Sequence, residues 1–348
     1  MPQFQETMTL SQFMPPLICF GMREDLLCGS EQAASPEAVS SSVVRDWCRS
    51  PDHGCVSSGV REERMKTHVA IAAVVCGLVG ASAYAQTSDF FDLVKTGTPQ
   101  NVQIALNRGS DMNVRSEDGM TPLMAAIVFN RNPGVFTALL NAGSDIHARD
   151  KDGSTPLMLA AANGKNEVVP LLHAGALVNS RSERGRTALM YAALKGQDPE
   201  VISMLLNAGA DINARDKDGE TALIFAVSMN ASSDVVTSLL RAGADITARD
   251  KDGFDALMHA GGGNMHPEVT MALLNEGADI QARYKNGETV LMNAAGSNQN
   301  PAVITTLLSA GANGKQKDSA GKTALDYAND NQKLKGTDAY WKLNEALF

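Results

Sequence analysis

Glycine closes the same short segment seven times at a nearly constant interval. The residues are Gly119, Gly153, Gly185, Gly219, Gly253, Gly287 and Gly321, and the steps between them are 34, 32, 34, 34, 34 and 34 residues. "ARDKDG" ends on three of these glycines, at 148–153, 214–219 and 248–253, and "ARYKNG" ends on a fourth at 282–287. A fixed period near 33 restricts the fold severely. Each unit is too small to bury an apolar face alone, so neighbours must stack and the core must run along the array.

The parts of one unit have separate physical jobs. Thr155 can cap a helix through its hydroxyl, and Pro156 suits a first helical position because no amide is needed there. Leu157, Ala160 and Ala161 form one apolar stripe, with alanines small enough for close helix packing. A second helix follows, as in "EVISMLLNAG" at 200–209, where Gly209 supplies a left-handed residue at its end. "ARDKDG" then turns the chain, with aspartate for bonds to its own backbone and glycine for positive φ. The predicted fold class is all-α: helix-turn-helix units joined by hairpin loops.

"TPLM", "TALM", "AGADIN" and "DKDG" together resemble the ankyrin repeat, in register from about residue 88 to 348. The resemblance implies a solenoid of about six full repeats, with atypical end units at 88–118 and 321–348. It also implies a protein partner bound on the concave face, built from hairpin tips and first helices. Where the ankyrin pattern has histidine after T-P-L, this chain has Met124, Met158, Met190, Ile224, Met258, Met292 and Asp326. The usual threonine–histidine hydrogen bond is therefore expected to be absent. The methionines are expected to pack in the core; an exposed ladder of sulfurs for oxidants or soft metals is the alternative.

On the concave face the resemblance places an arginine column: Arg115, Arg149, Arg181, Arg215, Arg249 and Arg283, then Lys317. An acidic column of Asp150, Asp216, Asp250 and Asp318 lies beside it. Pairing between the two columns is the expected arrangement, and a ladder of open guanidinium groups the other. Positions that differ between units are better placed for specificity. At the tips these are Glu183, Arg184, Arg186, Glu220, Phe254, Tyr284 and Glu288; on the first helices they are Val128, Phe129, Leu194, Lys195 and Met229. Phe129, Phe254 and Tyr284 stand out as aromatic anchors for a partner; packing of each ring on the adjacent repeat is the alternative.

Some units depart from the pattern. The one at 153–184 is short between its helices and within the second, where Pro170 is expected to remove a hydrogen bond and kink the helix. Gly261, Gly262 and Gly263 are expected to weaken the end of another first helix.

Several chemistries fail on inspection. A calcium loop with Gly219 sixth would need acids where Ala214 and Phe225 stand. His147, His173, His259 and His266 form no H-E-x-x-H pair, although His259 and His266 could approach across a helix pair. No P-loop, G-x-S-x-G or dinucleotide fingerprint is present. Neither catalytic residues nor a metal or cofactor are therefore expected. The net charge of −9 argues against nucleic acid. All five cysteines (Cys19, Cys28, Cys48, Cys55 and Cys76) precede the repeats, which excludes a disulfide framework there.

A separate signal lies upstream. "MKTHVAIAAVVCGLVGASAYAQ" starts at Met65 with a basic residue, continues as an apolar run, and ends with Ala83 and Ala85 around Tyr84. That order predicts a secretory signal peptide at 65–85, cut after Ala85, and a periplasmic or secreted repeat domain at 86–348 with no stable membrane anchor. Retention of the run as a short anchor is the other outcome. Residues 1–64 show no sustained period and are expected to be an extension upstream of the true start, without a stable fold. The function expected is a non-catalytic adaptor or scaffold exported to a bacterial envelope. The alternatives are a secreted effector binding host proteins, or an accessory factor for an envelope enzyme such as a peroxide defence, as proteins resembling this one imply.

Overall fold

The computed structural model describes residues 90–348, apart from 164, 165, 196, 197, 230, 231 and 285. The signal peptide at 65–85 and the segment 1–64 lie outside the described residues. The described residues belong to one compact unit, Ala83–Phe348.

The chain there forms helices in pairs. The first pair is α1 (90–96) and α2 (Pro99–Asn107). Then come α3 (Pro122–Phe129) with α4 (Pro133–Asn141), α5 (Pro156–Asn163) with α6 (Val168–His173), and α7 (Ala188–Lys195) with α8 (Pro199–Asn207). They are followed by α9 (Ala222–Ser228) with α10 (Ser233–Arg241), and α11 (Ala256–Gly262) with α12 (Pro267–Asn275). The last pairs are α13 (Val290–Ser297) with α14 (Pro301–Ser309), and α15 (Ala324–Ala328) with α16 (Asp338–Glu345). First helices pack on first helices and second on second, in chain order. Among the described residues there is no strand, only an isolated bridge between Arg283 and Thr289. The array therefore has six full units between two end units.

The caps explain where the helices begin. Thr121, Thr221, Thr289 and Thr323 each accept the amide three residues on, and Asp255 does so for α11. The methionine column refines the expectation of a lost hydrogen bond. The amide of Thr121 donates to Met124 Sδ at 3.4 Å while Met124 N donates to Thr121 Oγ1. Thr155 with Met158, Thr187 with Met190 and Thr289 with Met292 repeat this. Sulfur, a weak acceptor, thus completes the cap. Met124, Met158, Met190, Met258 and Met292 are all buried, as core packing requires.

One expected defect is absent, and the other has a packing reason. Pro170 falls in the first turn of α6, where the amide would have no intrahelical partner anyway, so it costs no bond. The result is a shorter helix, six residues against nine in α4 and α8, that packs least on its neighbours. Gly261 and Gly262 lie inside α11 and make room for the next unit. A Cβ on Gly261 would stand 2.6 Å from Val290 Cγ2, and one on Gly262 2.6 Å from Asn293 Nδ2.

Candidate functional site

The hairpin tips are built by their own side chains. Asp150 Oδ1 accepts the amides of Asp152 at 3.0 Å and Ser154 at 2.7 Å, and Gly153 closes the turn at φ 71°. Asp216, Asp250 and Asp318 do the same for their turns. Burial is the larger influence on Asp150 and pushes its carboxyl up, against these amides, which lower it. The acidic column is therefore occupied with holding turns.

The arginine column is occupied too, but not by aspartates. Arg149 donates one guanidinium nitrogen to Gly153 O at 3.1 Å and to Arg181 O, in the next hairpin, at 2.6 Å. Arg181 reaches Gly185 O and Arg215 O; Arg249 reaches Gly253 O and Arg283 O; Arg283 reaches Gly287 O and Lys317 O. Arg115 follows the same rule, and Arg215 donates to Arg249 O. A second stitch joins the tip backbones: Lys151 N to Asp118 O, Glu183 N to Asp152 O, Lys217 N to Arg184 O and Lys251 N to Asp218 O. Both sequence-based expectations for this column are corrected. The guanidinium groups staple consecutive hairpins through carbonyls, and among the described residues only Arg249 of this column adds an acid, Asp255 at 3.4 Å.

The variable tip residues pack along the array. Arg186 lies over the Phe225 ring at 4.6 Å and pairs with Asp216 at 3.3 Å and Glu220 at 3.9 Å. Phe254 meets the Tyr284 ring at 4.2 Å and the His259 ring at 5.7 Å. Glu288 Oε1 lies 2.5 Å from Tyr327 Oη, which also contacts Asp318. Tyr284 is buried and Phe254 half-buried, so both take the locally packed alternative and neither is an exposed anchor. Tyr284 occupies the place of the turn aspartate and cannot serve that role, so its ring turns inward and its hydroxyl accepts from Asn293 at 2.9 Å. Asn286 Oδ1 takes over part of the turn by accepting Glu288 N.

A column that the sequence reading missed answers these tips. It is the residue after the methionine position: Leu159, Tyr191, Phe225, His259, Asn293 and Tyr327. Tyr191 Oη lies 3.2 Å from Ser154 Oγ, one unit back, as Phe225 lies under Arg186 and Tyr327 beside Glu288. The available signal was variation at that position matching variation at a tip one unit earlier. His259 bonds Asp250 at 2.9 Å and His266 bonds Glu268 at 3.1 Å, so the two histidines do not converge. Asp216, Asp218 and Glu220 do converge, unforeseen. Arg186 and Lys251 close on them, while burial, ahead of the charge of Asp216, pushes the Glu220 carboxyl up.

What remains exposed is a smaller part of the variable set. Phe129, Lys195 and Met229 share one position at the ends of α3, α7 and α9, and Phe129 and Met229 are each more than half exposed. Glu183 and Arg184 are exposed at a tip. A family model described as ankyrin repeats, in three copies, matches residues 90–181, 126–216, 157–250, 189–284 and 256–337.

The chain belongs to the ankyrin-repeat family. No curated protein matches it. Ankyrin repeats make protein–protein interaction modules, and this array has the repeated surface such a module uses. Among the described residues no helix is long and apolar enough to cross a membrane.

Proposed function

We propose that this ankyrin-repeat array is a non-catalytic adaptor that is exported from a bacterial cell and binds a protein partner on the face of tips and first helices. The observation that carries the reading is the division of labour on that face. The periodic arginines and aspartates are spent on the array's own backbone. The side chains of the exposed set (Phe129, Arg184, Lys195 and Met229, with Glu183 the one acid among them) are mostly apolar or cationic, differ between units, and make none of the turn-holding bonds described above. Aromatic and arginine side chains of that kind are common anchors at interfaces. The export part of the reading rests on the order of residues 65–85.

The test is crosslinking in cells that make the tagged full chain, with mass spectrometry of what is captured. A dominant captured protein should be lost from an Arg184→Glu, Lys195→Glu, Met229→Asp variant that melts as the parent does. Equal capture by that variant would sink the assignment of this face. Periplasmic fractionation with a mature N-terminus at Gln86 supports the envelope role, and recovery from culture medium supports the secreted effector instead.

A further inference from the structure

One crevice on the tip face lacks the side chain that fills its counterparts. In later units the space between hairpin and first helix is entered by Tyr191, Phe225, His259, Asn293 or Tyr327, each in contact with a tip residue. In the second unit that position is Ala125. A groove of ≈ 440 Å³ stands there, walled by Phe91, Met120 and Phe129, with tip residues 115–118 along its edge. Phe129 is 53% exposed on the rim. The groove is large enough for an aromatic ring and apolar enough to reward one.

Its charges are uneven. Lys95 closes on Asp92 at 3.6 Å and lies over the Phe129 ring at 5.7 Å. Arg115 donates to two carbonyls. Glu117 and Asp118 are exposed and have no ion-pair partner among the described residues. Resting on the protein-binding reading above, we propose that this crevice takes an aromatic side chain of the partner, from a segment with a basic residue beside that ring. The array fills its other crevices from within with rings such as Tyr191 and Phe225, and here the partner supplies the ring. Glu117 and Asp118 receive the neighbouring cation.

The experiment titrates the full chain with the blocked peptide Gly-Lys-Tyr-Lys-Gly and with its Ala counterpart. The tyrosine peptide should bind about tenfold more tightly or better, the ratio that burial of one ring supports. Ala125→Tyr, which fills the crevice as Tyr191 fills its own, should abolish that preference while the melting temperature holds. Phe129→Ala, at an exposed position, checks the result if Ala125→Tyr does not fold. Glu117→Gln with Asp118→Asn should weaken the tyrosine peptide and remove most of its salt dependence. Equal binding of the two peptides, or an unchanged preference in Ala125→Tyr and Phe129→Ala, overturns the proposal. Capture of a partner in cells that survives Ala125→Tyr would leave the adaptor reading standing and remove the crevice from it.

Discussion

Tyr284 shows how one substitution in a repeat forces others to change with it. Its ring cannot accept the turn amides, so it goes inward, and it needs Phe254 on one side and Asn293 at its hydroxyl. Burial, the largest cause, pushes its phenol well above the ordinary 10.0. A phenol whose pKa is raised in the folded state binds its proton more tightly there. Its contribution is therefore fully present below about pH 10 and is lost as pH rises beyond that. We expect stability to hold to about pH 10 and then fall. At pH 11 Tyr284 alone should account for about 1.4 kcal/mol of the fall, from an unfolded value near 10. Tyr284→Phe should cost about 1 kcal/mol at pH 7, because Asn293 loses an acceptor, yet flatten the alkaline limb. Urea midpoints of both proteins at pH 7 and pH 11 measure this. Equal falls in the two proteins would mean that the phenol is not what titrates. At this scale the sequence was only partly legible. That Asp150 and its counterparts hold turns follows from residue type. That Tyr284 is buried depends on Phe254 and Asn293, which lie 30 and nine residues away, and no local rule joins them.

At the scale of the element, the helices were legible because each carries its own punctuation. Threonine, proline and the apolar stripe mark the starts, and glycines with positive φ, such as Gly209 at 86°, mark the ends. What a linear reading could not give is why a residue disfavoured in helices stands in one. Gly261 costs α11 about 1 kcal/mol of intrinsic propensity relative to alanine. Its return is the approach of Val290, whose carbonyl oxygen would sit 3.0 Å from an added Cβ and whose methyl would sit 2.6 Å from it. Gly263 has no such neighbour; only His259 O comes within 4 Å, at 3.9 Å. Gly261→Ala should therefore destabilise by about 1–3 kcal/mol despite its better propensity, whereas Gly263→Ala should stay within about 0.5 kcal/mol. Thermal melts of the two variants decide the matter. A stabilised Gly261→Ala would show that α11 and α13 are not tightly apposed.

The whole molecule is held by junctions between neighbours, so its weakest junction sets how far unfolding spreads. Several junctions carry an outer stitch in addition to the arginine staple. Asn179 Oδ1 accepts Asp211 N at 2.8 Å and its amide donates to Gly209 O at 2.9 Å; Asn213 repeats this toward Asp245 and Gly243. Asn113 makes the first half of the stitch, to Asp145 N. Between the second and third units the equivalent residues are His147 and Leu177. No such bond forms there among the described residues, and Leu177 is 64% exposed. The short helix α6 lies in the same third unit, so two weaknesses fall together. His147→Asn should restore an acceptor for the amide of Leu177 and a donor for Gly175 O, adding about 1 kcal/mol. The gain should show as slower hydrogen exchange in residues 166–179, with little change in the last two units, because coupling in such an array passes from neighbour to neighbour. If protection rises equally along the whole chain, the array unfolds as one cooperative block and the second junction is not its weak point. If nothing changes, the arginine staple from Arg149 to Arg181 already holds that junction as firmly as the stitched ones.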